Sequence, residues 1–198
     1  TYKSNARRAP REPRAPVGEE VGAADHFDEA LPLVPLRGLH GDPAVAAGEE
    51  GVRIAQAAGH SYSEVWARWG LGYAQLRHGD FAAATRVLEQ GLALCRGMEI
   101  RFALPFVAAS LGSAYLWSGR ATDAVPLQEE AVEAMTAMRI LGFRSWLITF
   151  LAEAYLVLGR IAEAREQAEQ AVALARAHQE RGWEAWGLKL LGDVHAHE

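Results

Sequence analysis

Few residues in this chain combine a reactive side chain with the spacing that chemistry requires. Cys95 is its one cysteine. A thiol becomes a nucleophile when a base or a helix N-terminus lowers its pKa, and the only basic residue beside this one is Arg96. A packed or half-exposed structural cysteine is the expected role, and a single cysteine forms no intrachain disulfide. His195 and His197 stand two apart, which on a helix points them to different sides, and nothing matches the H-E-x-x-H pattern of a zinc-binding helix. No metal site is expected. Gly70-Leu71-Gly72 runs on to Gln75 rather than to a third glycine, and no G-x-x-x-x-G-K-[S/T] phosphate loop occurs. No nucleotide and no other cofactor is expected. His60, His78 and His178 fall near predicted helix ends, where capping is their role and the dipole's negative end favours imidazole at His78 and His178. The chain itself therefore reads as non-catalytic.

The composition points to helices. Alanine fills 38 positions and leucine 22, while half of the 198 residues are hydrophobic, so helix formers outweigh strand formers and there is enough apolar surface for a core. The formal charge of −5 argues against a footprint along a nucleic-acid duplex. That charge is unevenly spread. Residues 1–18 carry Lys3, Arg7, Arg8, Arg11 and Arg14 against Glu12, together with Pro10, Pro13 and Pro16. Such a segment buries too little to offset its ordering entropy, and residues 1–24 are expected to form a disordered Pro/Arg-rich tail. An arm for nucleic acid or an acidic partner, or a stretch foreign to the native protein, are the other readings of it. With no secretory pattern, a reducing cytoplasm is the expected location. The chain opens at Thr1 without methionine and stops at Glu198, just after an apolar segment, which reads as a piece of a longer protein.

The elements that must position everything else come from a constant offset of 40. Gly79, Gly119 and Gly159 share it, as do Ala84, Ala124 and Ala164, with Ala44 one period earlier. Gly51, Gly91, Ala131 and Ala171 make a third series. Leu71, Leu111, Leu151 and Leu191 make a fourth, each followed by a small residue: Gly72, Gly112, Ala152 and Gly192. Trp66, Phe106, Trp146 and Trp186 make a fifth. Each period holds two helix-length segments broken at Gly79-Asp80, Gly119-Arg120 or Gly159-Arg160, where glycine takes the left-handed cap and Asp80 accepts from the next helix's amides. First helices are predicted at 62–78, 102–118, 142–158 and 182–197, and second helices at 80–97, 121–139 and 161–179, preceded by a lone second helix at 42–58. The fold class is all-α: an α-solenoid of antiparallel helical hairpins over residues 42–198, with three full hairpins and partial repeats at both ends. Pro32 and Pro35 leave residues 25–41 as irregular chain or a broken helix. Pro105 and Pro126 are both placed near the first turn of a helix, where a missing amide matters little. The uncharged run from Phe102 to Gly119 is read as a buried middle-repeat helix and not as a membrane span.

Leu71-Gly72, Gly79-Asp80-Phe81, Ala84, Leu88 and Gly91, echoed by Leu111-Gly112, Tyr115, Gly119, Ala124 and Ala131, resemble the tetratricopeptide (TPR) repeat in a longer-helix variety. The pattern departs from that family in having Arg68, Ala108, Ile148 and Leu188 at its early tryptophan, in lacking the closing proline, and in its 40-residue period. Across residues 79–195, GDFAAATRVLEQGLALCR, LPFVAASLGSAYLWSGRATDAVPLQEEAVE and ARAHQERGWEAWGLKLLGDV are similar to the C-terminal repeats of large bacterial proteins that join an adenylate/guanylate cyclase domain, an AAA-type ATPase and a TPR tail. Related tails occur in STAND-type transcriptional activators. The resemblance implies a protein-interaction or regulatory scaffold within a larger signalling protein, and carries over no catalytic residue.

In such arrays the first helices line a concave surface for a peptide, a partner domain or a neighbouring domain of the parent chain. The family's facing rule would place Trp66, Trp69, Tyr73, Arg77, Phe106, Ser113, Trp117, Trp146, Glu153 and Trp186 on that groove. The alternative for Trp66, Phe106, Trp146 and Trp186 is inter-repeat core. The last helix has no following partner in the sequence, so Leu188 and Leu191 are expected to leave an apolar stripe through which the chain self-associates.

Overall fold

The computed structural model describes residues 43–140 and 142–197. The expected tail at 1–24 and broken helix at 25–41 lie outside the described residues. Among those residues the chain forms eight helices and no strand: α1 (Pro43–Ala57), α2 (Ser61–His78), α3 (Phe81–Gly97), α4 (Leu104–Trp117), α5 (Ala121–Ala137), α6 (Arg144–Val157), α7 (Ile161–Ala177) and α8 (Arg181–His195). The hairpin array with its 40-residue period is what the offset predicts. Two first helices, α4 and α6, start two residues later than the offset places them. A turn at 101–103 delivers Pro105 into the first turn of α4, and Phe143, in the left-handed region at φ 65°, ends the approach to α6.

The corners between helices use one device throughout. At the tight corner inside each hairpin, Gly79, Gly119 and Gly159 adopt φ of 78°, 79° and 72°. The next residue's amide reaches back five residues, as from Asp80 to the Gln75 carbonyl at 3.0 Å, which satisfies carbonyls that the helix end leaves open. Asp80 Oδ1 also accepts from the Ala83 amide at 2.9 Å and caps α3. Between hairpins the same left-handed turn recurs at Gly59, Glu99, Arg139 and Gln179, again 40 apart. Only the first is glycine, and a side chain in this region costs about 1 kcal/mol.

Consecutive helices pack along the whole chain, and the first helices also pack on one another, α2 on α4, α4 on α6 and α6 on α8. No second helix meets another second helix through its backbone among the described residues. The layer whose members approach lies on the inside of the curve, so the first helices form the concave side and α1, α3, α5 and α7 the convex side. Within each hairpin, small residues on the first helix let the second helix come close. A Cβ on Gly72 would lie 2.5 Å from Leu88 Cγ, and one on Gly112 would lie 2.6 Å from Gln128 Cγ. Gly192, the last member of that series, has nothing within 4 Å of the corresponding point, because no helix beyond α8 covers it among the described residues.

Helix α4 is buried on all sides from Pro105 to Ala114. No helix among the described residues is long and apolar enough to cross a membrane. Pro105 sits in the first turn of α4 as predicted, but Pro126 does not sit in the first turn of α5. It lies inside that helix, where the missing amide deprives the Thr122 carbonyl of its usual donor. Thr122 and Pro126 both line a solvent-open cleft of about 540 Å³ between α3 and α5, so water can serve the carbonyl and the break is tolerated.

Candidate partner-binding face

The concave side carries a connected set of aromatic rings. Trp69 stacks on Tyr73 with centroids 5.9 Å apart and meets Trp66 at 5.5 Å and Phe106 at 5.7 Å. Phe106 continues to Trp146 at 6.0 Å. Tyr73 of α2 reaches Trp146 of α6 at 6.4 Å, past the intervening α4. Trp69 Nε1 donates to Ser110 Oγ at 3.1 Å, and that hydroxyl donates to the Phe106 carbonyl at 2.8 Å. Burial raises the Tyr73 phenol above its ordinary pKa, with Arg77 opposing. Ring pairs of this geometry add about 0.5–1.5 kcal/mol each beyond their burial, so the strip is a stiff surface.

A polar group lies beside the rings. Burial pushes the Glu153 carboxyl up to about 7, against a hydrogen bond from the Trp117 side chain and the attraction of Lys189, while Asp193 adds repulsion. Its Oε2 is buried and has no hydrogen-bond partner. Lys189 pairs with Asp193 at 2.6 Å and lies 5.5 Å from the Trp186 ring centroid. The Nε1 atoms of Trp146 and Trp186 are likewise buried without partners.

The ten residues placed on the groove by sequence therefore divide. Trp66, Trp69, Tyr73 and Trp117 are half-buried, with one side on the core. Glu153 and Trp186 are half-buried further along, and Arg77 lies half-buried at the end of α2. Phe106, Ser113 and Trp146 depart from the groove expectation: they are buried at 5%, 1% and 4% exposure. The reason is the middle position of α4 and α6, covered by helices on both sides, and Ser113 Oγ spends its proton on the Ala109 carbonyl at 3.2 Å. Leu188 is 45% exposed and Leu191 half-buried, so part of the apolar stripe on α8 is uncovered among the described residues.

Cys95 is buried at 2% exposure, and burial pushes its thiol up to about 11, the opposite of an activated nucleophile. His60 caps α2, its Nδ1 accepting from the Ser63 amide at 3.3 Å. No group of three or more metal-ligating residues comes together among the described residues.

One feature escaped the sequence reading. On the convex side, the Tyr115 hydroxyl donates to Glu89 at 2.8 Å, the Arg120 guanidinium lies 3.9 Å over its ring, and Arg120 pairs with Asp123 at 2.8 Å. One period later Tyr155 donates to Glu129 at 2.6 Å, Arg160 lies 4.1 Å over its ring, and Arg160 pairs with Glu163. Each set clips a second helix to the hairpin that follows it. The signal was available, since Glu89/Glu129, Tyr115/Tyr155, Arg120/Arg160 and Asp123/Glu163 all keep the offset of 40.

No family model and no curated protein matches the sequence. Solved structures do match. A crystal structure of a Podosopora anserina protein described as a kinesin light chain, with nearly identical TPR-like repeats, is similar at 26% identity over 77% of this chain and 84% of that chain, with a TM-score of 0.57. A second crystal structure of that description matches with the same identity and coverage at a TM-score of 0.56. The chain thus has a TPR-like repeat fold, an architecture that implies a scaffold for protein–protein interaction.

Proposed function

We propose that this chain is a partner-binding module whose concave side takes a peptide or a partner domain, and that it serves as the TPR tail of a larger bacterial cytoplasmic signalling protein such as an adenylate or guanylate cyclase with an ATPase module. The observation that carries the binding role is the aromatic strip on the first helices. Trp66, Trp69 and Tyr73 are held rigid from beneath by Phe106 and Trp146, yet keep part of their surface open. Rigid, half-open aromatic side chains are what binding hot spots are made of, because they bury area at small entropic cost. The cyclase parent is supported by the resemblance across residues 79–195 alone. Catalysis belongs to the rest of that protein, and the chain by itself is expected to turn over neither ATP nor GTP. The exposed Leu188 beside the unopposed Gly192 supports self-association through α8.

Replacing Trp69 and Tyr73 together by alanine tests the binding role. Capture of the partner by the immobilised chain should fall at least about tenfold, the loss of one hot-spot contact, while the melting temperature drops by only a few degrees. Intact capture with a large stability loss would reassign the strip to the core. The parent is tested in the complete open reading frame: paired metal-binding aspartates and a phosphate loop support the cyclase, whereas a helix-turn-helix supports a STAND-type activator.

A further inference from the structure

The arginines of this chain are not equally engaged. Arg53, Arg68, Arg96, Arg120, Arg160 and Arg176 each pair with a carboxylate. The side chains of Arg86, Arg101, Arg139, Arg144 and Arg181 have no ion pair or hydrogen bond among the described residues. Apart from Arg86 on α3, these stand where one hairpin passes to the next: Arg101 and Arg139 in the corners before α4 and α6, Arg144 and Arg181 at the first positions of α6 and α8. The carboxylates of these corners are Glu99 and Glu180, and the Ser145 hydroxyl donates to Glu180. This edge is therefore positive, although residues 19–198 carry 15 basic against 24 acidic side chains.

Two helix starts concentrate that charge. Glu64 lies in the first turn of α2, Asp80 caps α3, and Asp123, Glu163 and Glu184 lie in the first turns of α5, α7 and α8. Helices α4 and α6 begin with neither an acidic residue nor a side-chain cap, so the positive ends of their dipoles are unopposed. Beside those two starts, two phenylalanine rings are open. Phe102 and Phe143 are 48% and 39% exposed, and both rest on Phe106, at 5.9 Å and 5.6 Å, which joins them into one patch. Their neighbours in the chain are Arg101, which is exposed, and Arg144, whose Nε is buried without a hydrogen-bond partner. A buried guanidinium donor left open is costly until an acceptor reaches it.

We propose that the edge formed by Arg101, Phe102, Phe143 and Arg144 is a docking site for an acidic peptide segment of a partner protein. An apolar side chain of the segment lies on the two rings, and Asp or Glu carboxylates flanking it meet the two guanidinium groups. Arginine takes a carboxylate through two parallel N–H donors, and the open helix starts attract the same charge. A long polyanion such as nucleic acid is disfavoured, because beyond this edge the excess of carboxylates repels it. The inference does not rest on what the concave groove holds, since Trp69 and Tyr73 lie outside this edge.

The test titrates the full chain into a fluorescein-labelled Glu-Asp-Leu-Glu-Asp peptide, read by fluorescence polarisation. Saturable binding is expected, and Arg101→Ala with Arg144→Ala should weaken it about tenfold or more. A probe with alanine in place of leucine should bind about tenfold more weakly, and one with Gln and Asn in place of its carboxylates should not bind. Phe143→Gly removes a ring at a backbone position, φ 65°, that glycine adopts readily; this variant should keep its helical circular dichroism and lose affinity. The Trp69/Tyr73 double alanine variant should bind the probe as the unaltered chain does, so that failure of the groove and failure of this edge are told apart. No saturable binding, or binding indifferent to the two arginines or to Phe143, would overturn the proposal. Equal binding of the alanine-centred probe would reduce the effect to charge attraction and overturn it too, and tighter binding of a labelled oligodeoxythymidylate would assign the edge to nucleic acid instead.

Discussion

Helices α4 and α8 hold the same place in their repeats and meet different surroundings. Phe106, Ala108 and Leu111 of α4 are 5%, 0% and 1% exposed. Two periods later Trp186 and Leu191 are half-buried and Leu188 is 45% exposed. Among the described residues helix α4 packs against α2, α3, α5 and α6, whereas α8 packs against α6 and α7 only. The residue types are alike, so burial in this molecule is a property of the stack and not of the side chain. The same rule sorts the candidate site. Aromatics on covered helices become core, and those on the open side or edge keep surface for a ligand.

The comparison can be broken most visibly at its largest side chains. Phe106→Ala should cost about 3–5 kcal/mol in urea unfolding, because it empties a packed core. Trp186→Ala, half-covered, should cost about 1–2 kcal/mol from its smaller buried area. Equal losses would mean that α8 is covered as well as α4.

Glu153, half-buried on α6, is a titrating group set by the same stacking. Burial raises the Glu153 carboxyl from its ordinary 4.5 to about 7, so the folded state retains a proton that the unfolded state releases. The stability this one group contributes is therefore fully present below pH 4.5 and is lost as pH rises through 7. Glu153→Gln should remove this dependence and raise stability above pH 7 by up to about 3 kcal/mol, the cost of holding at about 7 a carboxyl that ordinarily titrates at 4.5. A stability profile unchanged by the substitution between pH 4.5 and 8 would show that this carboxyl is solvated. A smaller effect is expected at the convex clips, where Tyr115→Phe and Tyr155→Phe should each cost about 0.5–1.5 kcal/mol, the worth of one hydrogen bond. Since the two clips are built alike, a cost confined to one of them would show that repeat position alters even conserved geometry.

Much of the array was legible because its chemistry repeats. Gly79, Gly119 and Gly159 mark left-handed corners that glycine adopts most cheaply, and the offset of 40 carries the helix positions from one hairpin to the next. The corners at Glu99, Arg139 and Gln179 were hidden, because tertiary packing there imposes a left-handed turn on residues whose type does not announce it. Proximity to a predicted helix start does not distinguish the first turn from the helix interior at Pro126, and the cleft that makes an interior proline tolerable is a tertiary feature. The groove list was half legible. Sequence periodicity identifies which side of a first helix faces inward, but it does not tell whether a ring on that side is roofed by neighbours, as Phe106 and Trp146 are, or left partly open, as Trp69 and Tyr73 are. Gln128 makes the same point in the core: it is fully buried at the position of Leu88, with neither amide atom hydrogen-bonded, and no local pattern foretold a polar residue there.

The claim that the stack decides the duty of each position is tested most directly by one pair of substitutions measured together. Gly112→Ala places a Cβ 2.6 Å from Gln128 Cγ and 3.1 Å from the Ala124 carbonyl oxygen, a backbone atom, whereas Gly192→Ala meets nothing within 4 Å. Chemical unfolding of the two variants should give opposite signs: a loss of about 1–3 kcal/mol at Gly112 from overpacking, and a gain of about 0.5–1 kcal/mol at Gly192 from helix propensity. Two losses of similar size would contradict the account, since they would show that Gly192 is opposed by a neighbour as closely as Gly112 is.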